Sequence, residues 1–325
     1  MQPPVIYKKS DNKEYKRKRS FLKVVLIIII FSIILIFINT SYQKKQEIVS
    51  IINPLAKKII TQTIFALGGI QNSAQIEAIV QNDLKNTNGT YAVSIKNLKT
   101  GERYYYNEHQ EFESASLYKL WVMAETYLQI QNGNLSEQKV LSSSIENLNN
   151  DFGIASQSAE LTDGSLTLSV SDLVNNMITV SDNYSAYLLT ENIKITNIQN
   201  FLNENDLNES KLATDDNNPT TTASDMESFF EKLYQGQLAN QIYTNKMLDL
   251  LKKQKLNEKL PELLPQGTII AHKTGELDDF SHDAGIVYTK NGDYIIVVMS
   301  KTDNPAQANE VIAQISKGVY DYFTR

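Results

Sequence analysis

The sequence predicts an α+β fold, in which one antiparallel sheet is built from both ends of a domain and an all-helical region is inserted between its strands. Two β-rich runs occur early in the domain, TYAVSIKNL and ERYYYN, and three more occur near its end, GTIIAHKTGEL, HDAGIVYT and DYIIVVMSK. Between them, about 115–260, the hydrophobic spacing is mostly helical and is interrupted by polar loops. Strand runs on both sides of a helical run favour a sheet with flanking helices.

Local patterns justify the individual elements. The segment SAQIEAIVQNDLKN has the spacing of an amphipathic helix and opens the domain. Gly101 lies in the short KTG connection between the first two strand runs, which predicts a hairpin. Asn291–Gly292 predicts a tight hairpin between the last two runs, because both residues tolerate positive φ. A final amphipathic helix is predicted at about 305–323.

A hydrophobic segment precedes this domain. Residues 21–39, FLKVVLIIIIFSIILIFIN, approach the ~20 apolar residues that span a bilayer. Residues 1–23 contain eight Lys or Arg and two Asp or Glu, a net charge of 8 − 2 = +6. The positive-inside rule then places the N-terminus in the cytoplasm and the domain outside it. A cleaved signal peptide is the alternative, but no small-x-small cleavage site follows.

The chain is therefore predicted to have four segments. They are a basic cytoplasmic tail at 1–20, a single transmembrane helix at 21–39, a stalk or linker at 40–70, and a globular domain at 71–325. We predict a single-pass protein of the cell membrane that contacts the membrane through residues 21–39.

Composition excludes several classes of function. The chain has no cysteine, so disulfides and thiolate chemistry are excluded. Its three histidines lack helical metal-ligand spacing, and we predict no metal and no cofactor. The net charge is −6, which leaves −6 − 6 = −12 beyond residue 23. Such an acidic body argues against a nucleic-acid partner.

Three short motifs that suit a serine nucleophile occur in several copies. A serine hydroxyl needs an adjacent base to attack a carbonyl, and Ser-x-x-Lys supplies one. Ser-x-x-Lys begins at Ser10, Ser20, Ser41, Ser116 and Ser136. Ser-Asp-Asn begins at Ser10 and Ser181, and Lys-Thr-Gly begins at Lys99 and Lys273. Copies before residue 71 precede the domain, Ser136 lies in a polar loop, and Lys99 lies in the predicted hairpin turn. Ser116, Ser181 and Lys273 remain.

Each remaining copy also has a plain structural interpretation. Ser116 and Lys119 share one face at the start of the helix predicted from ESASLYKLWVMAETYLQI, where an N-cap serine beside a solvated lysine is the alternative. Ser181 and Asn183 lie at the head of another helix, where they could simply cap it. Lys273 follows an apolar strand and could be an ordinary strand end. The three motifs together occur in the order that resembles a known family of serine enzymes, and this combination favours catalysis.

In this combination the chain resembles the superfamily of class A β-lactamases and penicillin-binding serine hydrolases. The run LTDGSLTLSVSDLVNNMITVSDNYSAYLL resembles the family's approach to its Ser-Asp-Asn loop, and NPTTTASDMESFFEKL resembles its Thr-rich stretch before the next helix. The resemblance covers about 71–325. It implies a β-lactamase-like fold and an acyl-enzyme formed with a β-lactam, whose lactam amide is hydrolysed.

The resemblance also implies roles for the catalytic residues. Ser116 is the nucleophile, and Lys119 is its base or proton relay, which requires a depressed pKa. Ser181 passes a proton to the leaving nitrogen. Asn183 hydrogen-bonds the amide side chain of the substrate, and Lys273 stabilises charge.

The strand that follows Lys273 is implied to bind substrate. Thr274 binds the substrate carboxylate, Gly275 and Glu276 continue the binding edge, and the main-chain N–H of Glu276 joins that of the nucleophile in an oxyanion hole. His282 stands where the family often has a carboxylate-binding arginine, so we predict that it contacts the carboxylate. The alternative is a structural histidine that faces solvent or Asp283.

The match fails at the residue that frees the acyl-enzyme. Class A β-lactamases carry a glutamate in a Glu-x-x-Leu-Asn segment, which activates water. Here Glu204 begins ENDLN, but it falls at a predicted helix end before the corresponding loop. That loop is shortened to ATDDNNPTTT and offers only Asp215 and Asp216. These three residues are the candidates for deacylation, and we predict that deacylation is slow.

Three functions compete at this point. The first is a membrane-anchored serine hydrolase that acts on β-lactams. The second is a penicillin-binding D,D-peptidase or β-lactam sensor that acts on or binds peptidoglycan stem peptides. The third is an inactive scaffold, against which the four residues Ser116, Lys119, Ser181 and Lys273 argue together.

Overall fold

The computed structural model of the protein describes residues 73–213 and 217–325. The α-helices in these residues are α1 Ala74–Leu84, α2 Lys119–Gln131, α3 Ile145–Asp151, α4 Val170–Thr179, α5 Asn183–Ile193, α6 Ile195–Glu204, α7 Ala223–Tyr234, α8 Gln241–Leu251 and α9 Pro305–Thr324. The strands are β1 Thr90–Asn97, β2 Arg103–Tyr106, β3 Phe112–Glu113, β4 Val140–Ser144, β5 Ser165–Ser169, β6 Thr220–Thr221, β7 Ile269–Leu277, β8 Phe280–Tyr288 and β9 Tyr294–Lys301. A 3₁₀ helix, Ala115–Tyr118, leads directly into α2.

A five-stranded antiparallel sheet organises the domain. Its strand order is β2-β1-β9-β8-β7, so the two strands from the start of the domain pair with the three from its end. In the register, Val93 of β1 lies opposite Val298 of β9, and Lys273 of β7 lies opposite Ala284 of β8. Because β7 is an edge strand, it has backbone groups on its outer side that no strand of this sheet occupies.

Both faces of the sheet are buried, which explains its nearly continuous apolar strands. One face packs on α1 and α9 through a cluster that includes Ile76, Val93, Ile296 and Val319. The other face packs on the inserted helices, and side chains of α2 dominate this larger cluster. Residues from Leu120 to Ala124 are all 0 % exposed, so α2 is the central helix of the domain.

Caps and turns place the helix starts that matter for the site. The carboxylate of Asp182 accepts a hydrogen bond from the Ser185 N–H at 2.6 Å, which is an N-cap and starts α5 at Asn183. The 3₁₀ helix before α2 puts Ser116 one turn before Lys119. The Ser-x-x-Lys and Ser-Asp-Asn motifs therefore lie at the N-terminal ends of two neighbouring helices.

The predicted α+β architecture is confirmed, with the sheet built from both ends and the helices inserted between. The hairpin at Gly101 and the final helix are present as predicted. Two small sheets were not predicted, β3 with β6 and β4 with β5. Their strands of two to five residues are too short for a clear period-two pattern. Strand β8 begins at Phe280, before the predicted run HDAGIVYT. Asp278 adopts φ 44°, which permits a tighter turn between β7 and β8 than the sequence indicated.

The predicted membrane segment cannot be compared with this structure. The tail at 1–20, the transmembrane helix at 21–39 and the stalk at 40–70 lie outside the described residues. Within the described residues, every helix is too short or too polar to cross a bilayer.

The crossing of α1 and α9 yields a test of the fold. A Cβ added to Gly318 would lie 2.5 Å from Cγ2 of Ile79, which is a stiff β-branched side chain. Replacing glycine within a helix by alanine normally stabilises a protein by about 1 kcal/mol. We expect Gly318→Ala to destabilise this domain instead, by about 1–3 kcal/mol, because the crossing is overpacked. Chemical denaturation measures the change.

The control for this clash is the same substitution in an Ile79→Ala background. There the clash is removed, and Gly318→Ala should increase the free energy of unfolding. If Gly318→Ala destabilises both backgrounds equally, contact with Ile79 is not the cause.

Candidate active site

The predicted nucleophile lies in the 3₁₀ helix that abuts the edge strand β7. Ser116 is half-exposed, while Lys119, three residues later, is 0 % exposed. In the described part of the chain the Ser116 hydroxyl makes no hydrogen bond, to Lys119 or to any other group. Catalytic hydrogen bonds are often long before substrate binds. Rotation about the Ser116 side-chain bond would reorient its hydroxyl on the face of this turn that Ser116 shares with Lys119.

Lys119 is held by the Ser-Asp-Asn motif. Its Nζ donates to the Ser181 carbonyl at 2.5 Å, to the Ser181 Oγ at 3.2 Å and to the Asn183 Oδ1 at 2.6 Å. Burial lowers the pKa of Lys119 from 10.5 to about 7, and the negative charges of Asp182 and Glu160 oppose that shift. A substantial fraction of Lys119 is therefore a neutral amine at neutral pH, as a general base requires.

The Ser181 hydroxyl bridges the two predicted catalytic lysines. Lys273 Nζ donates to Ser181 Oγ at 2.9 Å and to the Thr274 carbonyl at 2.8 Å. Burial and the nearby charge of Lys119 hold the pKa of Lys273 well below its usual value. The structure thus brings together Lys119, Ser181 and Lys273. Lys119 and Ser181 are 62 positions apart in the sequence, and Ser181 and Lys273 are 92 apart.

Two residues of this site have strained backbones. Ala115, directly before the nucleophile, has φ 45°, and Ser181 has φ 60°. Such left-handed conformations cost free energy for non-glycine residues and persist where surrounding contacts enforce them. Here Ala115 shapes the turn that carries Ser116, and Ser181 presents its hydroxyl to Lys119 and Lys273.

Gly275 allows β7 to approach the nucleophile turn. A Cβ on Gly275 would lie 3.1 Å from the Ser114 carbonyl oxygen and 3.3 Å from the Ala115 Cβ. Both distances are tighter than ordinary packing contacts. A side chain at this position would therefore press on the backbone that precedes Ser116.

The rest of the predicted binding edge lies on β7 as well. Thr274 is 3 % exposed, and its carbonyl accepts from Lys273. The Glu276 side chain is mostly exposed and pairs with Lys259 at 2.9 Å. Glu276 therefore has a side-chain contact in addition to the main-chain role implied for it.

Lys259 is a site residue that sequence reasoning missed. It is fully buried behind β7, where its Nζ donates to the carbonyls of Gly275 and His282, each at 3.2 Å. Its positive charge also lowers the pKa of Lys273. The segment LNEKLPELLPQ carries no motif for Lys259, and the only signal was a lysine within an apolar stretch.

The structure does not support the predicted contact between His282 and a substrate carboxylate. His282 is 0 % exposed, its Nε2 donates to the Glu113 carbonyl at 2.8 Å, and its Nδ1 accepts from the Ser300 N–H at 3.1 Å. Both ring nitrogens are occupied by backbone, so the neutral tautomer with the proton on Nε2 is fixed. His282 supports the strand that leads into the nucleophile turn. The alternative pairing of a histidine with Asp283 is made by His272, at 2.9 Å.

Of the three candidates for deacylation, the structure describes Glu204, and Glu204 does not contact the lysines of the site. Glu204 ends α6 and lines a cavity of about 480 Å³ together with Glu125 of α2 and Lys194. The nearest acidic charges to Lys119 are those of Asp182 and Glu160. Glu204 therefore lies beside the second half of α2 and the end of α5, whereas Lys119 and Asn183 begin these two helices. Asp215 and Asp216 lie outside the described residues.

The shortened loop nevertheless contacts the nucleophile segment. The Pro219 carbonyl accepts from the Ser114 N–H at 2.7 Å, and Asn218 Nδ2 donates to the Glu113 carboxylate at 2.7 Å. Within the described residues no group of three or more His, Cys, Asp or Glu side chains could hold a metal ion.

Comparison with known proteins agrees with this geometry. The profile of the β-lactamase enzyme family matches residues 73–323. The β-lactamase VEB-1 of Pseudomonas aeruginosa is 26 % identical over 270 residues, which cover 75 % of this chain and 89 % of that protein. A β-lactamase of Bacteroides uniformis is 24 % identical over 282 residues, which cover 77 % and 92 %.

Solved structures share the fold. A β-lactamase from Sphaerobacter thermophilus superposes with a TM-score of 0.67 at 22 % identity, covering 77 % of this chain and 97 % of that one. PBP-A gives a TM-score of 0.66 at 22 % identity, covering 78 % and 97 %. A mutant of PBP-A has been solved as an acyl-enzyme complex with penicillin G.

The fold and the arrangement of serines and buried lysines define a serine hydrolase of the β-lactamase type. With a family match over most of its length, the chain belongs to the β-lactamase enzyme family.

The buried His282 predicts a specific dependence of stability on pH. Burial lowers the pKa of His282 from 6.5 to about 4. Between these values the unfolded chain binds the proton that the folded chain excludes, so stability is full above pH 6.5 and falls as the pH drops toward 4. We expect His282→Gln to destabilise the domain at pH 7. The difference in the free energy of unfolding between wild type and His282→Gln should be about 3 kcal/mol smaller at pH 4 than at pH 7.

Chemical denaturation at several pH values measures this difference. His109→Gln, which removes an exposed histidine, is the matched control and should show far less change. A constant difference between wild type and His282→Gln from pH 7 to 4 would contradict the assigned role.

Proposed function

We propose that the protein is a membrane-anchored serine hydrolase of the class A β-lactamase type, which β-lactams acylate at Ser116 and which hydrolyses the lactam amide slowly. The observation that carries this proposal is the Ser181 hydroxyl hydrogen-bonded to two buried lysine amines beside the Ser116 turn. The relatives named as β-lactamases support β-lactams as substrates.

Each residue has a defined part in acylation. The neutral amine of Lys119 accepts the proton of the Ser116 hydroxyl, whose oxygen attacks the lactam carbonyl. Backbone N–H groups of Ser116 and Glu276 stabilise the resulting oxyanion, and one such donor contributes about 3 kcal/mol. The C–N bond then breaks, and the leaving nitrogen takes the proton of Ser181. Lys119 and Lys273 both contact that hydroxyl and can return a proton to it.

Positive charge around β7 suits an anionic substrate. Lys273 belongs to the strand that carries Thr274, Lys259 donates to the Gly275 carbonyl of that strand, and both lysines are 0 % exposed. Charges in a low-dielectric region interact strongly, so a substrate carboxylate at this edge is stabilised. Lys259 adds positive charge beside this strand, and the Glu276 carboxylate at 2.9 Å neutralises part of it.

Slow deacylation is proposed because no carboxylate in the described residues is free beside Lys119. The Asp182 carboxylate caps α5, and the Glu160 carboxylate accepts from Asn183. A positioned general base contributes ~10²–10⁴ in rate, and its absence prolongs the acyl-enzyme. A D,D-peptidase or sensor acting on peptidoglycan stem peptides remains the alternative function. The segment at 21–39 would hold either one at the outer face of the cell membrane.

A fluorescent penicillin tests acylation and turnover together. We expect covalent label on wild type and none on Ser116→Ala. After a chase with unlabelled penicillin, the label should be lost ~10²–10⁴ times more slowly than from VEB-1 measured in parallel, because no carboxylate of the described residues is free to act as the general base. Release of D-alanine from a stem-peptide analogue would favour the peptidase instead.

The two Lys-Thr-Gly copies provide a matched control. Lys273→Ala should slow labelling by roughly 10² or more, since it removes a charged donor from the site. Lys99→Ala removes the same side chain from an exposed hairpin turn and should label as wild type does. Absence of label on wild type would refute the proposed function, and rapid label loss would refute slow deacylation alone.

The lowered pKa of Lys119 predicts the pH dependence of acylation. Only the neutral amine accepts the serine proton, so the acylation rate constant should rise with pH around a midpoint near 7. Stopped-flow measurement between pH 5 and 9 determines the midpoint. A flat profile, or a midpoint near the ordinary lysine value of 10.5, would exclude Lys119 as the base.

A further inference from the structure

The amide of Asn183 is engaged at both ends. Its Oδ1 accepts from Lys119 at 2.6 Å, and its Nδ2 donates to the Glu160 carboxylate at 2.5 Å. The family resemblance implies that Asn183 hydrogen-bonds the amide side chain of the substrate, and this Nδ2 is then the donor for the amide carbonyl on the acyl side. Glu160 therefore occupies the hydrogen-bonding position that the substrate carbonyl would take.

The backbone next to Glu160 is fixed beside the cleft independently of the Glu160 side chain. It lies in the connection between α3 and β5 and is exposed. The next residue, Leu161, is fixed at both polar groups. Its N–H donates to the Tyr184 hydroxyl at 3.0 Å, and its carbonyl accepts from Asn149 Nδ2 at 2.8 Å. The Glu160 carboxylate can therefore rotate away from Asn183 and still remain at the edge of the site.

Aromatic rings adjoin this carboxylate. Tyr187 lies one turn after Asn183 on the same face of α5. It stacks on Phe152 with ring centroids 4.6 Å apart, and both rings are half-buried. The Glu160 carboxylate accepts from Asn183, one turn before Tyr187, so the carboxylate and the ring are neighbours at the start of α5. An aromatic face beside a carboxylate is an arrangement that recognises ammonium groups.

We infer that Glu160, with Tyr187 and Phe152, forms a subsite for a cationic group on the acyl side of the substrate. The inference rests on the proposed function and narrows its substrate class. As the substrate carbonyl takes the Asn183 Nδ2, the displaced Glu160 carboxylate pairs with an ammonium group on the acyl side chain. A neutral acyl group offers no such compensation, and an anionic one is repelled.

Three penicillins that differ at one carbon test this subsite. Ampicillin carries an ammonium group there, benzylpenicillin a hydrogen and carbenicillin a carboxylate. Stopped-flow or competition labelling gives the second-order rate constant of acylation for each. We expect wild type to favour ampicillin over carbenicillin by about tenfold or more, as expected for charges a few ångströms apart near a protein surface. The preference should weaken at high salt.

Substitution of Glu160 separates this subsite from the rest of the site. In Glu160→Gln the ratio of ampicillin to carbenicillin should fall at least fivefold, about the share that a single close surface charge supplies. In Glu160→Lys it should invert. Glu146→Gln, which removes an exposed carboxylate from α3, is the matched control and should keep the wild-type ratio. A ratio is insensitive to a uniform loss of activity, so damage to catalysis cannot imitate the result.

The outcomes distinguish the two proposals. If all three penicillins acylate Ser116 but the ratio is the same in wild type and Glu160→Gln, the cationic subsite is refuted and the proposed function stands. If none acylates wild type while the protein is folded, the proposed function is refuted and the subsite with it.

Discussion

The Ser181 hydroxyl between two buried lysine amines is the interaction on which the site depends. Two lysines without a shared acceptor would repel each other in a region of low dielectric constant, and each would lose its solvation. The hydroxyl and carbonyl of Ser181 and the amide of Asn183 satisfy these amines. Burial keeps the pKa of Lys119 near 7, so the same contact that stabilises the site makes one lysine a usable base.

The edge strand β7 links these lysine contacts to the segment that carries the nucleophile. Gly275 allows β7 to lie against the backbone before Ser116. His282 on the adjacent strand donates a hydrogen bond to the Glu113 carbonyl. Lys259 binds the carbonyls of Gly275 and His282 from behind. These contacts secure the left-handed turn at Ala115 from several sides, which is how a strained backbone is maintained at a functional site.

Electrostatics divide the cleft into two regions. Lysines dominate at β7, where a substrate carboxylate is expected, while acidic Glu160 and the aromatic rings lie beside the start of α5. A substrate that is anionic at one end and cationic at the other would be complementary to both. The inferred preference for cationic acyl groups arises from this division of charge, which specifies orientation more than it adds affinity.

Much of the fold and the central motifs could be predicted from the sequence, because they depend on local chemistry. Short β-rich apolar runs indicated the strands, Gly101 indicated a turn, and the order of Ser116, Ser181 and Lys273 distinguished meaningful motif copies from accidental ones. The segment KTGE occurs at 99–102 and again at 273–276. The neighbouring residues differ, so the sequence alone distinguished the copy in the hairpin turn from the copy on the strand edge.

Tertiary structure alone decided which side chains meet. The buried position of His282, the contact of Lys259 with β7 and the bond between Glu160 and Asn183 leave no periodic trace in the sequence. They arise when strands and loops far apart in the chain pack together, and a residue's polarity does not reveal which backbone group will satisfy it. Local propensity therefore determined the elements of this protein, whereas long-range packing determined the protonation states and partners of its functional groups.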